Sequence, residues 1–161
     1  MKAIDEHDRL SLDYFTRRHC SRQWRTFLKV LASEMQSSAG KEESARFMRH
    51  VGRHLASEYP LDAPATLGDL EAQINARLDS MDWGWCTLNA SDDHLAIEHV
   101  AYPVAVDTVE DPVAGEAWTR TISALLEGLY KHWLDGEGGD APIAYRHGEP
   151  GRYLAFRYGG S

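Results

Sequence analysis

The chain has no long hydrophobic run: its uninterrupted apolar stretches last only a few residues, far short of the ~20 that a membrane helix needs. Its first ten residues, MKAIDEHDRL, carry acids where a secretory signal needs an apolar core. Direct membrane insertion and Sec export are therefore not expected. Cysteine is scarce as well. The two present, Cys20 and Cys86, form neither a CxxC pair nor a zinc pattern. Two reduced thiols in the cytoplasm are expected, with the periplasm as the alternative. Basic residues are outnumbered, 17 Lys and Arg against 25 Asp and Glu, and a net charge of −8 opposes binding to a nucleic-acid backbone.

The deficit is uneven. Residues 1–60 hold 11 basic and 8 acidic side chains, whereas residues 61–161 hold 6 and 17. Such a split permits attraction between the ends of two copies, although a solvated acidic surface is the simpler explanation. The motifs of nucleophilic catalysis are missing: there is no GxSxG elbow. The Gly136-Glu137-Gly138-Gly139 run follows a helix, whereas phosphate is held where a helix begins. His50 and His54 stand at the i, i+4 spacing of a metal pair, but Val-Gly-Arg lies between them and no third ligand follows. The expectation is no catalytic residue, no metal and no cofactor.

What is present is one domain's worth of chain, 161 residues with 43% hydrophobic content, enough to bury a core without staples. Residues 1–20 are expected to be a mobile N-terminal arm, and residues 21–158 a single domain. Ser21 caps a predicted helix to about Ser37, with Trp24, Phe27, Leu28, Leu31 and Met35 on one stripe, closed by Ala39-Gly40. A second runs from Glu42 to Glu58 with Phe47, Met48, Val51 and Leu55 on its buried side, and stops at Tyr59-Pro60. Thr66 starts a third, with Asp69 as capping partner and Leu67, Leu70, Ile74, Leu78 and Met81 on one face.

From Trp83 the period shortens to two. Trp83, Trp85 and Thr87 then point one way and Gly84, Cys86 and Leu88 the other. A turn at residues 90–93 leads to a strand from His94 to Tyr102. A proline-containing loop over residues 103–115 precedes a long helix from Glu116 to Leu134, whose apolar side carries Trp118, Ile122, Leu125, Leu126, Leu129 and Trp133. Strands at Ile143–His147 and Arg152–Tyr158 close the chain. The predicted class is α+β, in the order ααα-ββ-α-ββ: a three-helix segment, a β-hairpin, a long helix and a second β-hairpin, forming one small antiparallel sheet.

Five Trp, seven Tyr and four Phe stand out. Trp83, Trp85, Tyr145, Tyr153 and Tyr158 offer a platform on which sugar rings could stack; packing inside a core is the competing explanation. At the level of architecture alone, the element order also resembles ligand-binding sensor domains of the vinyl-reductase type. A small-molecule pocket would then lie between helices and sheet, lined by Leu125, Leu129 and Trp85.

Three stretches carry a closer resemblance. The segment LDSMDWGWCTL at residues 78–88, the helix Leu126-Glu127-Gly128-Leu129-Tyr130 with Trp133 beyond it, and Arg49-His50-Val51-Gly52-Arg53 resemble signatures of the BcsD family, the D subunit of bacterial cellulose synthase. The resemblance spans residues 24–158, with a longer basic lead and a different loop before the last long helix as departures. It marks Arg49, Gly52, Arg53, Trp83, Gly84, Leu126, Glu127, Gly128, Leu129, Tyr130 and Trp133 as structural signature positions. It implies a non-catalytic accessory subunit of bacterial cellulose secretion that promotes ordered export and crystallisation of β-1,4-glucan. Family members assemble as homo-octamers, tetramers of dimers, whose N-terminal segments line glucan passages. By that likeness Lys2, Asp5, Glu6, His7 and Asp8 are passage candidates. The implied partners are the cellulose synthase complex, a proline-rich cellulose-biosynthesis protein and β-1,4-glucan. Gly128 inside a helix costs about 1 kcal/mol relative to Ala, which suits a close approach of backbone or ring there; plain helix-on-sheet packing is the alternative.

Overall fold

The computed structural model describes residues 20–160. Of the expected N-terminal arm only Cys20 falls within it, so the passage candidates Lys2, Asp5, Glu6, His7 and Asp8 lie outside the described residues. The elements are α1 (Arg22–Glu58), α2 (Leu67–Ser80), β1 (Trp85–Ala90), β2 (His94–Val100), α3 (Pro112–Gly136), β3 (Ile143–Glu149) and β4 (Tyr153–Gly159). The α+β class and the order of helices, hairpin, helix and hairpin are as the sequence predicts.

Three boundaries show local chemistry at work. The two N-terminal helices are one element broken at Gly40, whose φ of 84° and ψ of 164° leave the helical region without an intervening loop. At the start of α2, Thr66 Oγ1 accepts the Asp69 N–H at 3.1 Å while Asp69 Oδ2 accepts the Ala65 N–H at 3.0 Å, which satisfies two otherwise orphaned donors. Helix α3 begins at Pro112, not at the predicted Glu116. Asp111 caps it by accepting the Ala114 N–H at 3.1 Å, and Pro112 occupies the first turn, where a missing N–H costs nothing.

The sheet is antiparallel throughout, in the order β1-β2-β4-β3. Cys86, Leu88, Ile97, His99, Leu154 and Phe156 alternate onto its inner face and are buried. Helix α3 lies over that face and α1 lies over α3, so α3 is the middle of three layers. It is buried around most of its circumference: Ala117, Thr121, Ala124, Glu127 and Gly128 join the predicted Trp118, Ile122, Leu126, Leu129 and Trp133. The expected single apolar side is therefore incomplete, because a helix between two layers needs two.

The two sheet edges are treated differently. Along β1, α2 supplies side chains in place of a neighbouring strand. Asn75 accepts the Cys86 N–H at 2.7 Å and donates to the Cys86 carbonyl at 3.0 Å, and Glu71 accepts the Leu88 N–H at 2.8 Å. On β3 the ladder is interrupted by a bulge between Tyr145 and His147. Both devices discourage edge-to-edge pairing. No described helix packs on the outer face of the sheet.

Candidate functional site

The signature glycines are two halves of one helix crossing. A Cβ on Gly52 would sit 2.0 Å from the Leu125 carbonyl oxygen, and a Cβ on Gly128 would sit 2.0 Å from the Arg49 carbonyl oxygen. Helices α1 and α3 thus touch backbone to backbone, each using its glycine's missing Cβ to admit the other, at a cost in helix propensity at both positions. Of the two readings of Gly128 in the sequence, close backbone approach is the observed one.

Contacts either side extend the crossing, and their residue numbers rise together, so the helices run in the same direction. Gln36 donates to the Ala117 carbonyl at 2.8 Å, Arg49 Nε lies 3.6 Å from Glu127, and Trp133 Nε1 donates to the Tyr59 carbonyl at 2.9 Å. Burial raises the Glu127 carboxyl above its usual range, with Arg49 and the Tyr145 backbone N–H opposing. Arg53, by contrast, is exposed, with His50 Nδ1 at 3.4 Å.

A buried polar chain ties α3 to the sheet. His99 Nε2 lies 2.6 Å from the Trp83 carbonyl, and His99 Nδ1 lies 2.6 Å from Tyr130 Oη. A carbonyl only accepts, so Nε2 carries the hydrogen; Nδ1 of the neutral ring then accepts from the Tyr130 hydroxyl. The Cys86 thiol is the next group along, and its ionisation and that of Tyr130 bear on each other. Burial lowers His99 to about 4, pushes the Cys86 thiol up to about 12 and raises Tyr130 well above its usual value. The set is neutral, satisfied and sealed: His99 and Tyr130 are 0% exposed. It positions rather than reacts. His99 is a residue the sequence motifs pass over, although its place two residues from Ile97 puts it on the inner face.

Gly84 explains the WG signature. Its φ is +79°, and a Cβ there would lie 2.0 Å from the Val100 carbonyl oxygen. The chain turns at this point, so Trp83 leaves the strand and heads for the helices while Trp85 begins β1 on the outer face. This corrects the expectation that the two tryptophans share a side.

The first arm of α1, before Gly40, looks outward. Trp24 and Phe27 are each 54% exposed, Val30 is 51% exposed and Leu31 is 41% exposed. Phe47, expected on the buried side of the second arm, is 56% exposed. Beside this arm an apolar hollow of about 370 Å³ opens between Trp24, Leu28, Leu31 and Met35 of α1, Met48 beyond the break, Trp118 and Ile122 of α3, and Trp83. Of the pocket residues expected from the sequence only Leu125 lines it. Leu129 is wholly buried in the core, and Trp85 stands on the far side of the sheet.

The five predicted platform aromatics are dispersed in the same way. Tyr145 packs against buried Phe156, and Tyr158 donates to Asp135 at 2.7 Å, so both face inward. Trp85 and Tyr153 remain on the outer face, where they share a register row through Val100. The His50 and His54 rings meet edge to face at 4.7 Å on an exposed surface, and no cluster of three or more metal-ligating side chains occurs among the described residues. No described helix is long and apolar enough to cross a membrane.

A family model for the D subunit of cellulose synthase matches residues 10–158. A relative from Komagataeibacter xylinus, named cellulose synthase operon protein D, is 32% identical over 113 residues, 70% of each chain. A relative of the same name from Komagataeibacter sucrofermentans shows the same identity and coverage. With the match spanning the glycine crossing, the Trp83-Gly84 turn and the buried Tyr130, the chain belongs to the cellulose synthase D-subunit family.

Proposed function

We propose that this protein is a non-catalytic, self-assembling accessory subunit of the bacterial cellulose synthase machinery, which promotes ordered export and crystallisation of β-1,4-glucan. The observation that carries the reading is the apolar stripe of the first α1 arm, Trp24, Phe27 and Leu31, left exposed beside an apolar hollow in a member of this family. An exposed stripe of that size on a surface helix calls for a protein partner, and a second copy is the partner always present. The reading takes the assembly to be an octamer built as a tetramer of dimers, attached to the synthase complex and to a proline-rich partner.

The buried groups with shifted ionisation support a structural role, since His99 and Tyr130 are wholly buried and hydrogen-bonded to each other. Both cysteines are buried and free, which suits work on the cytoplasmic side of the synthase. Untagged protein found only in a periplasmic extract would place it on the other side. Native mass spectrometry of the purified chain tests the main claim: a species of eight copies is expected, and a monomer at micromolar concentration would overturn it.

One observation favours a second reading. A hollow of about 370 Å³ with an almost wholly apolar lining is of a size that takes a small molecule, as in a sensor domain. A melting temperature raised by members of an apolar small-molecule panel, in a chain that stays monomeric, would favour that reading over assembly.

A further inference from the structure

The outer face of the sheet is unlike the other surfaces of the fold. Helix α3 covers only the inner face, and the register places three rows of side chains on the outer one. The first is Trp85–Val100–Tyr153–Glu149, the second Thr87–Glu98–Ala155–His147, and the third Asn89–Ala96–Arg157–Ala144. Trp85 is 49% exposed. The His147 ring meets Tyr153 edge to face at 6.0 Å, which fixes the tyrosine ring beside it. Val100 lies between the two rings, and alanines at three positions of the next two rows keep the floor low beside them.

Charge narrows the choice of ligand. Arg157 is paired with Asp93 at 3.3 Å and Arg152 with Glu149 at 2.9 Å, so an anionic ligand would have to displace those carboxylates; Arg146, at the β3 bulge, lies at the edge of the face away from Trp85. The face therefore suits an uncharged ligand. Its other groups, the Thr87 hydroxyl, the Asn89 amide, the Glu98 carboxylate and the His147 ring, are hydrogen-bonding partners for hydroxyls. Such a mixture is too polar for the dry centre of a protein interface, yet its two rings can cover the C–H faces of sugars. Trp85 and Tyr153 stand two strands apart, about 9.6 Å, close to one disaccharide repeat of an extended β-1,4-linked chain.

We infer that the Trp85–Val100–Tyr153 row is a binding site for a single extended β-1,4-glucan chain running across the strands, stacked on the two rings and hydrogen-bonded by Thr87 and Glu98 in the next row. The inference rests on the cellulose reading above but concerns a surface remote from the α1 arm on which that reading depends.

The test uses the full chain with cellohexaose in titration calorimetry and with regenerated amorphous cellulose in co-sedimentation. Trp85→Ala and Tyr153→Ala should each weaken binding about tenfold or more, while Trp85→Phe keeps most of it and His54→Ala, on α1, leaves it unchanged. Trp85 is half exposed, so an unchanged melting temperature shows that Trp85→Ala still folds. Wild-type binding with both alanine variants unaffected removes this site and leaves the cellulose reading standing. No binding by the wild-type chain removes the site too, while native mass still decides the scaffold. A fall in native mass on Trp85→Ala would make the face a contact between copies and also overturn the proposal.

Discussion

The two arms of α1 share one helix label and little else. Beyond Gly40, the second arm gives Gly52 and the Arg49 carbonyl to a backbone-to-backbone crossing and buries Ala56 completely. Before Gly40, the first arm buries Ala32 but exposes Trp24, Phe27, Val30 and Leu31. The same length of amphipathic sequence thus serves two ends: the second arm holds the monomer together, and in the proposed reading the first is kept for another copy. Apolar periodicity reports that a face will be covered, not whether the cover comes from the same chain.

If that division holds, the largest effect belongs to the crossing. Gly128→Leu forces side-chain atoms into the α1 backbone and is expected to cost about 4 kcal/mol or more, seen as loss of a cooperative urea transition. Trp133→Ala follows, at about 4 kcal/mol from the cavity and the lost bond to Tyr59, read from the urea midpoint. A transition in either variant matching the wild type would mean that the crossing does not hold the fold.

Acid comes next. His99 has a folded value of about 4 against an ordinary one of about 6.5. Between those values the unfolded chain binds the extra proton, so stability present at neutral pH is lost as pH falls through that window. The full loss is about 3 kcal/mol. Glu127 acts with the opposite sign: its raised carboxyl keeps a proton in the folded chain that the unfolded chain has released, so it weakens the fold as pH rises from the usual carboxylate range through its own value. Urea midpoints measured from pH 7 to 4 should fall in the wild type and flatten in His99→Gln; equal slopes would remove His99 as the cause. The smallest effect is at the cap of α3, where Asp111→Ala should cost about 1 kcal/mol, together with the 2.9 Å ion pair from Lys29 that joins the first arm to the cap.

Much of this was legible beforehand. The change of period at Trp83 marks the hairpin, Thr66 and Asp69 mark the start of α2, and Gly128 leaves a close contact as one of two readings. What stayed hidden depended on contacts between distant segments. Gly128 does not say that Arg49 is its neighbour. His99 reads as one histidine of eight until Tyr130 is placed beside it. Asp111-Pro112 reads as loop punctuation although it opens a helix, because proline serves both uses. Asn75 and Glu71 look like solvent-facing helix residues until the β1 edge they close is built. The platform aromatics scattered because a positive φ at Gly84 separates Trp83 from Trp85 and because the strand register turns Tyr145 and Tyr158 inward.

The central claim is the division between the two arms, and the double variant Trp24→Glu/Phe27→Glu tests it most directly, by light scattering on a sizing column with a melting curve on the same sample. A smaller assembly with an unchanged melting curve for the isolated protomer is the predicted result. Unchanged mass, or a collapse of the fold, would contradict it.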